Sequence, residues 1–252
     1  MNGHVSSRGA SRLAMIALAI AAFTSDANAY RPFDGTDASV AEEGVFELEA
    51  GAGHVHFGDV DSIALPSLVF NYGLPWDTEI VLEGQFNREL GHGVDGPRNS
   101  FGDTQLSMKH VFVKGSLQDA VGPSVATECA VLLPEVHGSP GTGAECAAIV
   151  SNKWDALALH FNAGIGRTRE HRTARTISLI AEGPETWTVR PVAEILAERD
   201  HGGARLNSAL VGAIWRHADD LALDIGFRRA RTNDSSFNEL RIGLTWSFAV
   251  GK

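Results

Sequence analysis

Glu239-Leu-Arg-Ile-Gly-Leu-Thr-Trp-Ser-Phe248 alternates without a break between apolar side chains and polar or small ones. Leu240, Ile242, Leu244, Trp246 and Phe248 fall on one side; Glu239, Arg241, Gly243, Thr245 and Ser247 fall on the other. Successive side chains of a strand point to opposite faces, so this stretch is a strand with one apolar and one polar face. The same reading holds upstream. Leu221, Leu223, Ile225 and Phe227 oppose Ala222, Asp224, Gly226 and Arg228. Leu157, Leu159, Phe161, Ala163 and Ile165 oppose His160, Asn162, Gly164 and Gly166, and Ile80, Leu82 and Phe86 oppose Glu79, Glu83, Gln85 and Asn87.

Twelve such segments fit the chain, near 45–53, 62–72, 78–88, 101–113, 122–133, 143–151, 155–167, 174–182, 187–198, 205–215, 220–230 and 236–248. An even number of strands of roughly ten residues is what a closed antiparallel transmembrane β-barrel needs, and closure leaves no edge unpaired. The expected fold is therefore all-β, a barrel over 45–248, with a segment 30–44 on the periplasmic side before it and a tail 249–252 after it. Connections after even strands read as mostly short and those after odd strands, such as 90–100 and 134–142, as longer. Short periplasmic turns and long external loops would put both chain ends in the periplasm. Trp76, Trp154, Trp187, Trp215 and Trp246 should then share one rim as an aromatic girdle, joined by Tyr72, Phe112 and Phe248.

The first 29 residues read as a signal peptide: Arg8 and Arg12, an apolar run from Leu13 to Phe23, and the small-x-small site Ala27-Asn28-Ala29. The run is too short for a membrane-spanning helix, which needs about 20 residues. Export and the barrel pattern place the protein in the cell outer membrane. The formal charge of −10 argues against nucleic-acid binding, which needs a basic face. Cys129 and Cys146 fall on adjacent predicted strands and on the same face; in an oxidising compartment they fit either a disulfide or two buried thiols.

Several stretches resemble a known family in order and spacing: Tyr30-Arg-Pro-Phe33, Phe46-Glu-Leu-Glu-Ala-Gly51, Leu65-Pro-Ser-Leu-Val-Phe-Asn-Tyr-Gly-Leu74, Phe101-Gly-Asp-Thr-Gln-Leu-Ser-Met-Lys-His110 and Leu244-Thr-Trp-Ser-Phe248. They are similar to the outer-membrane barrels named for the MetA-pathway of phenol degradation. The resemblance implies a barrel and a channel or transport role for small apolar or aromatic molecules. It carries no catalytic residues.

If lipid faces the apolar set, the polar set lines the lumen. By alternation it comprises Glu47, Glu49, Glu79, Glu83, Asp103, Lys109, His160, Asn162, Arg190, Glu194, Asp224, Arg228, Glu239 and Arg241. Such a lining either selects solutes by charge and width or pairs internally and fills the barrel. His54 and His56 share a face, but a third metal ligand is not evident, so no metal and no cofactor is expected. Arg167, Arg169, Arg172 and Arg175 cluster in a predicted external loop, where they either meet the phosphates of outer-membrane lipid such as lipopolysaccharide or stay solvated. A lipid-hydrolysing barrel would resemble those with His and Ser two apart on a strand. Beyond the first 29 residues only His137 and Ser139 have that offset, in a Gly/Pro loop, so an enzyme is not expected. The partners expected are membrane lipid and a small-molecule solute, with the protein monomeric.

Overall fold

The computed structural model describes residues 31–58, 60–90, 98–202, 205–233 and 235–250. The expected signal peptide and its cleavage site lie outside these. Twelve strands form one closed antiparallel barrel in which each strand pairs with its sequence neighbours and β1 pairs with β12. They are β1 (Val45–Phe57), β2 (Val60–Leu74), β3 (Thr78–Glu89), β4 (Asn99–Val113), β5 (Ser124–Leu132), β6 (Gly143–Trp154), β7 (Leu157–Arg167), β8 (Thr173–Glu182), β9 (Val189–Asp200), β10 (Arg205–Ala218), β11 (Leu221–Thr232) and β12 (Ser235–Ala249). All twelve expected segments are strands, most of them longer by a few residues at their ends. Among the described residues no helix is long and apolar enough to cross a membrane, which says nothing of strands.

The barrel is polar inside and apolar outside. Glu49, Asn71, Glu79, Lys109, His160 and Thr245 are among the most buried side chains of the protein. Phe161, Ile165, Ile225, Phe227, Leu240 and Ile242 stand on the outer surface, each roughly half exposed. A soluble fold shows the reverse, since Lys and Glu are almost never fully buried unless paired.

Two ends can be distinguished. The first carries the start of β1, the end of β12 and the connections 75–77, 114–123, 155–156, 183–188 and 219–220. All five Trp residues lie at this end and are exposed. At the second end the connections 90–98 and 133–142 are long, as expected. Contrary to expectation, only two residues separate β1 from β2 and β11 from β12, because these strands pair almost to their tips. The register shifts over neighbouring strands at Gly51/Gly53, Ala64/Ser67 and Glu83/Gln85, and near the first end at Val111/Val113 and Arg216/Ala218. Pro66 sits inside the second shift. It has no N–H to give to a ladder, and a bulge is where a sheet tolerates that.

Candidate functional site

The segment 31–44, expected as a periplasmic extension, runs inside the barrel. Arg31-Pro-Phe-Asp-Gly-Thr-Asp37 has no strand alternation, so its backbone donors have no ladder to join. Buried N–H groups must find acceptors, and the lumen supplies them from side chains. The N–H groups of Asp34 and Gly35 donate to the Glu194 carboxylate at 2.9 and 2.8 Å. Asn162 takes the Thr36 N–H at 3.2 Å and returns its own amide to the Thr36 carbonyl at 2.9 Å. Ala38 donates to Ser151 Oγ at 2.9 Å and Ala41 to Glu79 Oε2 at 2.8 Å. Four strands thus hold one unstructured stretch by its backbone.

Charge fixes it further. Asp34 bridges Arg228 at 2.6 Å and Arg241 at 2.7 Å, and both guanidiniums also bind Glu239. Lys109 reaches Thr36 Oγ1 at 3.0 Å, Asp37 at 3.4 Å and Glu79 at 3.7 Å. Arg31 lies 3.5 Å from Asp224. Burial raises the Asp34 carboxyl pKa, but Arg241 and Arg228 outweigh it and hold the group below its ordinary value. Asp37 behaves the same way, with burial opposed by Lys109 and His160. Two apolar anchors complete the seat. Phe33 packs on Val192, Ile214 and Ala222, while Ala38 and Val40 pack with Val111, Ala126 and Ile149. Gly51 and Gly243 face each other across β1 and β12, and a Cβ on either would overlap the Arg31 side chain. Glycine there allows the close approach.

Above this plug, toward the second end, lies a cavity of ≈ 540 Å³. Its floor includes Arg31 to Thr36, and its walls mix Val55, Val69 and Val81 with the carboxylates Glu83, Glu128 and Glu145. Gln105 donates to Glu83 at 2.7 Å and Ser107 to Glu128 at 2.5 Å. Asp103, at the exposed mouth, accepts from Gln85 and receives Glu135 on its own N–H at 3.1 Å.

The predicted lining residues therefore divide. Glu79, Lys109, Asn162, Glu194, Asp224, Arg228 and Arg241 hold the plug, and Glu239 braces the two arginines. Glu83 and Asp103 line the open cavity. His160 and Arg190 form a separate chain at the first end, with Ser151 and His160 at 2.9 Å, His160 and Glu182 at 3.2 Å, and Arg190 and Glu182 at 3.0 Å. Sequence reasoning missed Glu128, Glu145 and Glu182, which alternation within their own strands would have turned inward. It missed Asp34 and Arg31 because nothing periodic marks them.

Cys129 and Cys146 stand opposite each other on β5 and β6 and are joined by a disulfide on the outer face. His54 and His56 share Asp61 as partner, and no metal-binding group of His, Cys, Asp or Glu occurs among the described residues. His137 meets the Asn99 carbonyl at 3.1 Å, while the Ser139 N–H donates to Glu135 at 3.0 Å.

No family model matches the sequence, and a search of curated proteins finds no match. Solved structures do match the fold. An outer-membrane channel from Pseudomonas putida F1 aligns at a TM-score of 0.64 and 9% identity, covering 86% of this chain and 100% of that one. The NanC porin aligns at 0.56 and 11% identity, covering 79% and 98%. The KdgM porin, solved in complex with disordered oligogalacturonate, aligns at 0.53 and 10%, covering 79% and 99%. At such identities the likeness is one of fold.

Proposed function

We propose that the chain is an outer-membrane channel for small molecules, exported through a cleaved signal peptide and standing with both ends and the Trp rim on the periplasmic side. The observation that carries this is the inverted polarity of a closed barrel: charges buried within, and a continuous belt of large apolar side chains outside. Soluble monomers rarely expose apolar patches beyond a few hundred Å². The ≈ 540 Å³ cavity, with apolar and carboxylate walls, fits a small solute with an apolar body and hydrogen-bond donors. That agrees with the apolar or aromatic solutes implied by the family resemblance. The barrel works without cofactor or catalytic residue in this reading, and as a monomer.

The test is reconstitution into liposomes and planar bilayers. Solute uptake or conductance that changes with Asp103→Asn, Lys109→Met or Arg241→Gln supports the channel. A barrel sealed to ions and to every small solute sinks it. One observation favours the alternative of a non-conducting, lipid-interacting barrel, namely the plug itself. Removal of residues 31–44 distinguishes the two, since a channel gains flux and a solid barrel does not. Release by salt washing without detergent would defeat both.

A further inference from the structure

The arginines of the second end do not sit where the sequence alone suggests. Of the four clustered between 167 and 175, two are engaged elsewhere. Arg169 donates to the carbonyls of Leu133 and Thr104 at 2.8 Å each, with Glu135 at 3.5 Å. Arg172 pairs with Asp200 at 2.5 Å. The other two, Arg167 and Arg175, lie on the outward faces of β7 and β8.

Register then brings in arginines from distant parts of the chain. Arg175 stands directly opposite Arg199 on β9, and Arg199 directly opposite Arg205 on β10. Arg229 and Arg231 follow on β11. All six face outward and are exposed. Among the described residues, no carboxylate lies within ion-pair distance of any of them; Arg229 bonds only the Asn238 side-chain oxygen, at 2.9 Å. Directly opposed side chains have Cβ atoms about 4.5–5.5 Å apart, and like charges so placed repel. Just inside this stripe the outward residues are Ile165, Ile177, Ile195 and Phe227. The charges thus begin where the apolar belt stops.

We infer that the outward stripe of Arg167, Arg175, Arg199, Arg205, Arg229 and Arg231 is a binding surface for the phosphates of a lipid in the outer leaflet. The surface needs an anion to offset three guanidiniums in a row, and it needs that anion at the depth of a headgroup beside buried acyl chains. A phosphorylated lipid supplies both at once. Guanidinium forks match phosphate oxygens with paired hydrogen bonds, which lysine cannot reproduce. The inference rests on the membrane placement proposed above.

The experiment uses the full mature barrel in detergent, titrated with bisphosphorylated lipid A, with the same lipid after enzymatic dephosphorylation, and with inorganic phosphate. Binding is followed by native mass spectrometry. The expected result is that Arg175→Gln/Arg199→Gln/Arg205→Gln binds bisphosphorylated lipid A about a hundredfold more weakly than the unmodified barrel. The triple lysine variant should fall between them, and the dephosphorylated lipid should bind both proteins equally. Equal affinity of the unmodified and glutamine barrels for lipid A overturns the inference, as does inorganic phosphate binding as tightly as the lipid. A heat-modifiability gel and flotation with liposomes are run on every variant. Insertion with no discrimination overturns the inference alone, whereas failure of the unmodified barrel to insert overturns the membrane reading itself.

Discussion

Replacing Asp34 by Ala should loosen the plug while leaving the barrel standing. The carboxylate accepts from Arg228 at 2.6 Å and from Arg241 at 2.7 Å, and no other side chain of the segment meets that pair. A hydrogen bond to a charged group contributes about 1.5–3 kcal/mol. The side chain is 23% exposed to the cavity, which argues for the lower end of that range. Both guanidiniums also keep Glu239, so they are not left as bare buried charges. The net loss should be about 2 kcal/mol, which multiplies the undocked fraction about thirtyfold. Thr36→Cys in both backgrounds gives the reporter, because the native cysteines are already bonded. When closing is faster than reaction, the rate of modification by a polar thiol reagent follows the open population. A rate rising twenty- to fiftyfold with Asp34→Ala agrees with this account. A change under threefold would refute the view that the Asp34 bridge holds the segment, and Glu194 and Asn162 would then carry it.

Acid should act on the same contact. Asp34 and Asp37 are held below their ordinary value of 3.8, so their docking contribution is complete above that pH and is lost as pH falls through it to the lowered values. Labelling of Thr36→Cys, taken at each pH relative to the same reagent's rate with a freely accessible thiol, should be flat from pH 7 to 5 and rise toward pH 3; a flat profile throughout contradicts the assignment. Phe161→Arg, on the outer face of mid β7, should lower folding stability in liposomes by about 2–4 kcal/mol, measured by urea titration; no loss would mean that face does not meet lipid. Removing the disulfide by Cys129→Ser/Cys146→Ser, a bridge across 17 positions, should cost about 3 kcal/mol of unfolding free energy. A denatured, unreduced sample that takes up maleimide would show that the bridge is not there.

The barrel was legible because its strands report themselves one residue at a time: Leu240 to Phe248 shows its two faces with no knowledge of its neighbours. The lining was legible for the same reason, down to Asp224 and Glu239. The plug was not. Arg31 to Asp37 has no period, and its partners, Glu194, Asn162 and Arg241, lie more than a hundred positions away. The arginine stripe was half legible and misplaced. Proximity in sequence pointed to Arg169 and Arg172, which fold back on carbonyls and Asp200. Register across β8, β9 and β10 is what aligns Arg175, Arg199 and Arg205, and register is a property of the whole sheet.

The meeting of β1 with β12 also sets an order of events in assembly. These strands stand at opposite ends of the chain, so the wall cannot shut until the last strand has arrived. The plug is joined directly to β1, and Arg31 presses on the two glycines, Gly51 and Gly243, that face each other across that joint. One of the two belongs to β12, so half of the seat for Arg31 does not exist until the ring shuts. The segment is therefore built to find its final position in the closing step or after it. Growth of the barrel and occlusion of its interior end together at a single line of hydrogen bonds.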